Sequence, residues 1–158
     1  MKFVQADGSQ IPWLTEDGYF DAAQFPIDSV LKHAMSRDPR EFQTGLGMLD
    51  SMCHLGRREA GVFLIGLLMT CEDDWERRTE IVYALRNVET PACAKVLFGD
   101  LKRVKSTNTT RRYLKAVIDR LARMPPNLVR DGFEELAIDS SFTHRMRSIF
   151  RAILYDLA

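Results

Sequence analysis

Two apolar patterns recur along this sequence at nearly constant spacing, and the recurrence limits the possible folds more than any other feature. In the first pattern, two adjacent apolar residues are followed by another apolar residue after two intervening positions. Its four copies begin at Met48, Ile81, Val117 and Ile149. A second pattern alternates with the first and begins at Leu64, Leu97 and Gly132. Both series have helical spacing and a period of about 34 residues, so they predict a helix pair repeated along the chain.

Turn-forming residues divide residues 27–158 into four predicted helix pairs. The predicted pairs are 27–36 with 39–54, 57–71 with 75–88, 90–104 with 108–124, and 126–138 with 142–157. Within each pair, polar residues are expected to cap the second helix, because their side-chain oxygens can accept hydrogen bonds from the first N–H groups of that helix. The expected caps are Asp38, Asp73-Asp74 and the polar stretches 106–108 and 139–141. Gly45 and Gly47 fall inside a predicted helix and indicate close helix packing. The predicted fold class is all-α, an α–α superhelix of about four helix pairs.

The first 26 residues lack a helical period and are predicted to form an irregular N-terminal segment. Glycine and proline recur there among aromatic and aliphatic residues, a mixture typical of loops, and a short hairpin is expected at Asp7-Gly8. Two roles are open for the apolar side chains of this segment. They either cap one end of the helical domain, residues 27–158, or occupy its groove.

Residues 63–88 resemble a repeat of the HEAT-like (armadillo/HEAT-type) α-solenoid family. An apolar helix is followed by Asp73-Asp74 in the turn and by Arg77-Arg78 at the start of a second helix that contains alanine and leucine. The arginine pair recurs at residues 111–112, and the last repeat keeps Asp139 and Arg145. The resemblance implies a HEAT-like superhelix, in which the second helix of each pair lines a concave face that is often the binding face.

The helical period assigns particular residues to that concave face. If Ile81, Val82 and Leu85 point into the core, the opposite side of their helix carries Glu76, Glu80, Tyr83 and Asn87. At the repeat spacing, the corresponding positions in the second helix of the next pair are Arg112, Ala116, Asp119 and Arg123. In the last pair they are His144, Ser148, Arg151 and Tyr155. The candidate binding residues are Tyr83, Asn87, Arg112, Asp119, Arg123, His144, Arg151 and Tyr155.

Charge is balanced over the whole chain but differs between its two halves. Residues 1–76 contain 6 Lys/Arg and 13 Asp/Glu, whereas residues 77–158 contain 16 and 9. This asymmetry indicates a surface for an anionic partner, an attraction between the two ends, or a homodimer that joins acidic and basic halves. The sequence favours a non-enzymatic protein–protein interaction module, either an adaptor or an inhibitor of the bacterial immunity type. The alternative is a nucleic-acid-binding or DNA-repair protein that uses the basic C-terminal half of the groove.

The sequence contains no recognisable catalytic, cofactor or metal motif. Phosphate-binding, dinucleotide-binding and GxSxG patterns are absent, and the three histidines do not have metal-ligand spacing. We therefore expect no catalytic residues, no cofactor and no metal site. An odd number of cysteines without a disulfide framework indicates a reducing compartment, so a cytoplasmic location is expected. No membrane partner is expected, because the longest apolar run, residues 60–71, is too short to span a bilayer.

Overall fold

The computed structural model describes Ser9, residues 11–17, Tyr19 and residues 21–158, and this part of the chain is helical without a β-strand. It contains a short 3-10 helix, Leu85–Asn87, and eight α-helices. The α-helices are α1 (Ile27–Ala34), α2 (Pro39–His54), α3 (Arg58–Thr70), α4 (Trp75–Ala84), α5 (Pro91–Arg103), α6 (Arg111–Ala122), α7 (Pro126–Ile138) and α8 (His144–Asp156). The all-α prediction is confirmed. The predicted hairpin at Asp7-Gly8 lies outside the described residues.

The chain divides into two compact units, a first unit of Met1–Thr70 and a second unit of Cys71–Ala158. The boundary falls between α3 and α4, which the sequence analysis places in one helix pair. The predicted division into an N-terminal segment and a helical domain from residue 27 stays a prediction, and so does the superhelix.

In the first unit, α2 packs against both α1 and α3. The contact between α1 and α2 depends on Gly45, since a Cβ atom added there would lie 2.4 Å from the backbone nitrogen of Ala34. The prediction of close packing is therefore confirmed for Gly45. It is wrong for Gly47, which is exposed and has no atom within 4 Å of an added Cβ.

The described part of the N-terminal segment is fixed to the turn between α2 and α3. Gly56 ends that turn with a φ of 86°, a conformation that favours glycine. The following residue, Arg57, donates hydrogen bonds from its guanidinium to the backbone carbonyls of Ala22 at 3.3 Å and Phe25 at 2.6 Å. Within the segment, the ring of Trp13 packs edge-on against Phe25, with 5.5 Å between the ring centroids.

In the second unit, helices pack both on the next helix in the chain and on the helix two positions away. α4 contacts α6, and α5 contacts both α6 and α7, while α8 packs chiefly on α7. Phe133 of α7 lies at the centre of the later contacts, 5.2 Å from Phe98 and 6.1 Å from Phe150 between ring centroids.

The starts of α2 and α4 agree with the sequence analysis, but those of α6 and α8 do not. Asp38 accepts hydrogen bonds from the backbone N–H groups of residues 40 and 41, and Asp74 accepts one from that of residue 77. The prediction that residues 106–108 cap a helix starting at 108 is wrong, because residues 107–110 form a turn through threonine hydroxyl groups and α6 begins at Arg111. Thr143, not the stretch 139–141, caps α8, which begins at His144.

Candidate functional site

Three buried polar side chains join the starts of α4 and α6 to the end of α5. Arg78 of α4 forms an ion pair of 2.5 Å with Asp100 of α5. Tyr113 of α6 donates a hydrogen bond to the same carboxylate oxygen and lies 3.3 Å from the guanidinium through its hydroxyl. All three residues are almost excluded from solvent. We call these three residues the buried network. It fixes α4 against α6 and thereby positions the surfaces of both helices.

Neighbouring groups stabilise the charges of the buried network. Arg103, which is largely exposed, donates a second charged hydrogen bond to Asp100 at 2.7 Å. Burial alone would raise the pKa of Asp100, but the hydrogen bonds from Tyr113 and Arg103 and the charge of Arg78 hold that pKa below its ordinary value. The guanidinium of Arg78 also lies over the ring of Trp75, 5.5 Å from its centroid. The Arg78–Asp100 pair is therefore ionised at neutral pH, and the buried network is closed to ligands.

The structure places all eight candidate binding residues on the surface of the second unit. Tyr83 of α4 is 51% exposed, and Asn87 ends the 3-10 helix that follows α4. Because α4 and α6 pack directly against each other, Tyr83 lies on a helix next to the one that carries Arg112 and Asp119 and that ends just before Arg123. The fold therefore brings four of the eight candidates onto two neighbouring helices and the residue that follows α6.

The exposed side of α6 carries both positive and negative charges. Arg112, Lys115, Asp119 and Arg123 are spaced by three, four and four residues, so they follow one another along a single stripe, and all four are exposed. In the part of the chain that the structure describes, none of the four forms an ion pair. Their charges are consequently available to a partner.

The assignment of Ala116 to the same exposed side is wrong. Ala116 is buried together with Tyr113, Val117 and Leu121. The helical period alone assumes that α6 has one packing partner, whereas α6 contacts both α4 and α5. The buried arc of α6 is therefore wider than the sequence analysis assumes.

The other three candidates lie on α8, which packs chiefly on α7. His144 is the first residue of α8, and Tyr155 near its end is 83% exposed. Arg151 is also exposed, but its guanidinium donates a hydrogen bond of 3.2 Å to the carbonyl of Ala137, in the last turn of α7. Arg151 thus satisfies a carbonyl at a helix end, and its availability to a partner is lower than that of Arg112 or Arg123.

A buried arginine lies on the inner side of α6. The side chain of Arg120 is 10% exposed and faces Glu89 at 3.9 Å, and burial lowers its pKa. Burial also raises the pKa of the Cys93 thiol to about 12, so that the thiol is neutral at physiological pH. A neutral, buried thiol is a poor nucleophile, and Cys93 acts as part of the core.

The sequence patterns do not predict the buried network. One signal was present, because Arg78 precedes Ile81, Val82 and Leu85 by three, four and seven residues and so shares their core-facing side. A period cannot show which distant residue neutralises such a charge. Asp100 is 22 positions away in the chain and reaches Arg78 only through the packing of α4, α5 and α6.

The described residues contain neither a metal-ligand cluster nor a helix that could span a membrane. No group of three or more His, Cys, Asp or Glu side chains in this part of the chain is arranged to hold a metal ion. Among the same residues, no helix combines the length and the apolar character needed to cross a bilayer.

Comparison with known proteins gives no family assignment. No protein-family model matches the chain, and neither a curated protein nor a solved structure is significantly similar to it.

Proposed function

We propose that the protein is a non-enzymatic protein–protein interaction module, an adaptor or an inhibitor, built as a HEAT-like superhelix. Its binding surface consists of the exposed sides of α4, α6 and α8. One observation carries the proposal: Tyr83 and Tyr155 expose 51% and 83% of their area to solvent although aromatic side chains are costly to leave there. Tyrosine and arginine contribute most to the binding energy of protein interfaces, and this surface offers both.

The arrangement of charge favours a protein partner over nucleic acid. Binding to phosphates depends on several lysine or arginine side chains clustered on one surface, and a carboxylate among them repels the phosphates. Here Asp119 stands between Lys115 and Arg123 on α6, and the neighbouring helix α4 carries Glu76 and Glu80. A partner protein with matching acidic and basic groups would be oriented by this pattern, and its association would be accelerated.

The contribution of the individual residues follows from their internal contacts. Arg112 and Arg123 make no ion pair within the described residues, so binding costs no internal interaction. Arg151 would have to give up its hydrogen bond to Ala137. We therefore assign the centre of the interface to Tyr83, Arg112 and Arg123, and its edge to α8.

A reducing compartment, the cytoplasm, fits the state of the cysteines. All three cysteines are free, and burial raises the pKa of each thiol. In such a compartment the thiols stay reduced and serve as packing groups.

The experiment is affinity capture from a lysate of the source organism, before and after nuclease treatment. Wild type is compared with a Tyr83→Ala/Arg112→Ala/Arg123→Ala variant. The control is Lys95→Ala/Ile138→Ala, which removes exposed side chains of α5 and α7 instead. We expect wild type and control to retain one protein in near-equal amount after nuclease treatment, and the triple variant to lose it.

Two outcomes would contradict the proposal. Equal capture by the triple variant would show that this surface is not the interface. Recovery of nucleic acid that disappears with nuclease or moderate salt would support the alternative, a nucleic-acid-binding or repair protein, because binding through several phosphate contacts weakens by roughly 10³-fold between 50 and 200 mM salt.

A further inference from the structure

Two turns of opposite charge lie side by side at one end of the second unit. The rings of Trp75, the first residue of α4, and Tyr113, the third of α6, are 5.4 Å apart between centroids. The starts of the two helices therefore adjoin, and the turns that lead into them, residues 71–74 and 104–110, lie at the same end.

The buried network holds the first turn in place, and the second turn is held by a hydrogen bond of its own. The guanidinium of Arg78 approaches the backbone carbonyl of Glu72 at 3.5 Å, and the same group contacts the hydroxyl of Tyr113. On the other side, the hydroxyl of Thr110 donates a hydrogen bond of 2.5 Å to the backbone carbonyl of Lys105. The charged side chains of the two turns therefore start from fixed backbone positions.

The turns differ completely in charge. The first turn presents the exposed carboxylates of Glu72 and Asp73. The second turn presents the exposed cation of Lys105, and Arg111, the residue that follows it at the start of α6, adds a second exposed cation. Within the described residues, none of these four side chains forms an ion pair or a hydrogen bond. We call this surface, made of Glu72, Asp73, Lys105 and Arg111, the bipolar end.

We propose that the bipolar end binds a second copy of this chain. A surface with one acidic and one basic patch side by side is complementary to itself under a two-fold rotation, which places the acidic turn of each copy against the basic turn of the other. Each contact then pairs two carboxylates with two cations, and the pairing occurs twice. A surface of one sign would repel its own copy, so the juxtaposition of both signs selects this partner.

The proposal goes beyond the proposed function and does not depend on it. The bipolar end shares no residue with the eight candidate binding residues. Because the association is held by exposed charges, it is weak and sensitive to salt, since the Debye length falls from about 30 Å at 0.01 M to about 8 Å at 0.15 M ionic strength.

The experiment measures self-association of the full chain by sedimentation equilibrium at low and high salt. We expect a dimer at low salt whose dissociation constant rises at least about tenfold by 0.3 M NaCl. Two variants reverse one patch each: Glu72→Lys/Asp73→Lys makes both turns basic, and Lys105→Glu/Arg111→Glu makes both acidic. Each variant alone is expected to be monomeric, because both of its contacts become repulsive.

Mixing the two variants gives the decisive result. In the mixed dimer every contact joins opposite charges, so the two variants are expected to associate with each other, and one chain carrying all four substitutions is expected to dimerise again. A control reversal of Lys95 and Glu134, exposed residues of α5 and α7, should leave the dissociation constant unchanged. A monomeric wild type at low salt, or the absence of association in the mixture, would overturn the proposal. Circular dichroism of each variant separates loss of association from loss of folding.

Discussion

Arg78 and Asp100 form an ion pair at 2.5 Å although their side chains are only 3% and 6% exposed. Transferring two charges out of water costs several kcal/mol for each ion, and the attraction between them compensates only when further hydrogen bonds complete the arrangement. Tyr113, Arg103 and the backbone carbonyls of residues 71 and 72 supply those bonds here. The ion pair therefore determines how α4, α5 and α6 are positioned, because any other packing would leave a buried charge without its partner.

Removal of the buried carboxylate should be one of the most destabilising substitutions in the second unit. Asp100→Ala leaves the guanidinium of Arg78 buried without its counter-ion, and we expect a loss of about 3–5 kcal/mol in the free energy of unfolding. Arg103→Ala removes an exposed partner of the same carboxylate and should cost no more than about 1 kcal/mol. Urea unfolding followed by far-UV circular dichroism measures both. Equal losses for the two variants would show that the buried pair has no special role.

Tyr113 should make the stability of the protein depend on alkaline pH. Burial and the hydrogen bond to Asp100 raise the pKa of Tyr113 above its ordinary value of 10.0. The unfolded chain therefore ionises first as pH rises, so the stabilisation is complete below about pH 10 and is lost above it. Tyr113→Phe lacks this ionisation. We expect the variant to be less stable at pH 7 by about 1 kcal/mol and the difference from wild type to shrink above about pH 10. Urea midpoints of both proteins between pH 8 and 11 test this, and a difference that stays constant would contradict it.

Two glycines of α2 should respond in opposite directions to the same substitution. Gly45→Ala places a methyl group against the backbone of Ala34 in α1, which cannot move without shifting that helix, so a loss of about 1–3 kcal/mol is expected. Gly47→Ala meets no neighbour and removes a flexible residue from a helix, so a gain of about 0.5–1 kcal/mol is expected. Urea unfolding monitored by far-UV circular dichroism gives both values. A loss for Gly47→Ala would show that its side of α2 is not open.

The anchoring of the N-terminal segment should depend on one side chain. Arg57→Ala removes two charged hydrogen bonds to the carbonyls of Ala22 and Phe25, and a loss of about 2 kcal/mol is expected. The backbone N–H of Asp21, which donates to the carbonyl of Trp13, should then exchange faster with solvent. Arg58→Ala is the control, because this neighbouring arginine is exposed. Unchanged exchange at Asp21 in the Arg57 variant would contradict the assignment.

Most helix bounds could be predicted because local patterns determine them. α2 and α7 begin and end at the predicted residues, and Pro39 and Pro126 mark their first turns. The larger errors are the end of α4, which stops at Ala84 and is followed by a 3-10 helix although the predicted helix reaches residue 88, and the start of α6. Three threonines and an asparagine precede α6. The threonine hydroxyl groups form hydrogen bonds with one another and with the backbone, and the helix therefore begins only at Arg111.

The exposed residues of the candidate surface could also be predicted, whereas the contacts between helices that hold them could not. Tyr83, Arg112 and Tyr155 lie opposite apolar residues of their own helices, and the period of one helix is sufficient to find them. The burial of Ala116 and the tether of Arg151 to Ala137 depend on contacts between helices. Such contacts join residues far apart in the chain, and no spacing within one helix indicates them.

Arg57 holds the N-terminal segment through main-chain atoms, and such contacts tolerate divergence among related sequences. Its guanidinium recognises two main-chain carbonyls, which every amino acid provides, and makes no demand on the side chains that accompany them. These two hydrogen bonds can therefore persist while the side chains at the accepting positions change, although the buried Ala22 and the packing of Trp13 on Phe25 still limit the composition of the segment. Among related sequences, the arginine and the glycine turn before it are the parts of this attachment expected to be inherited unchanged.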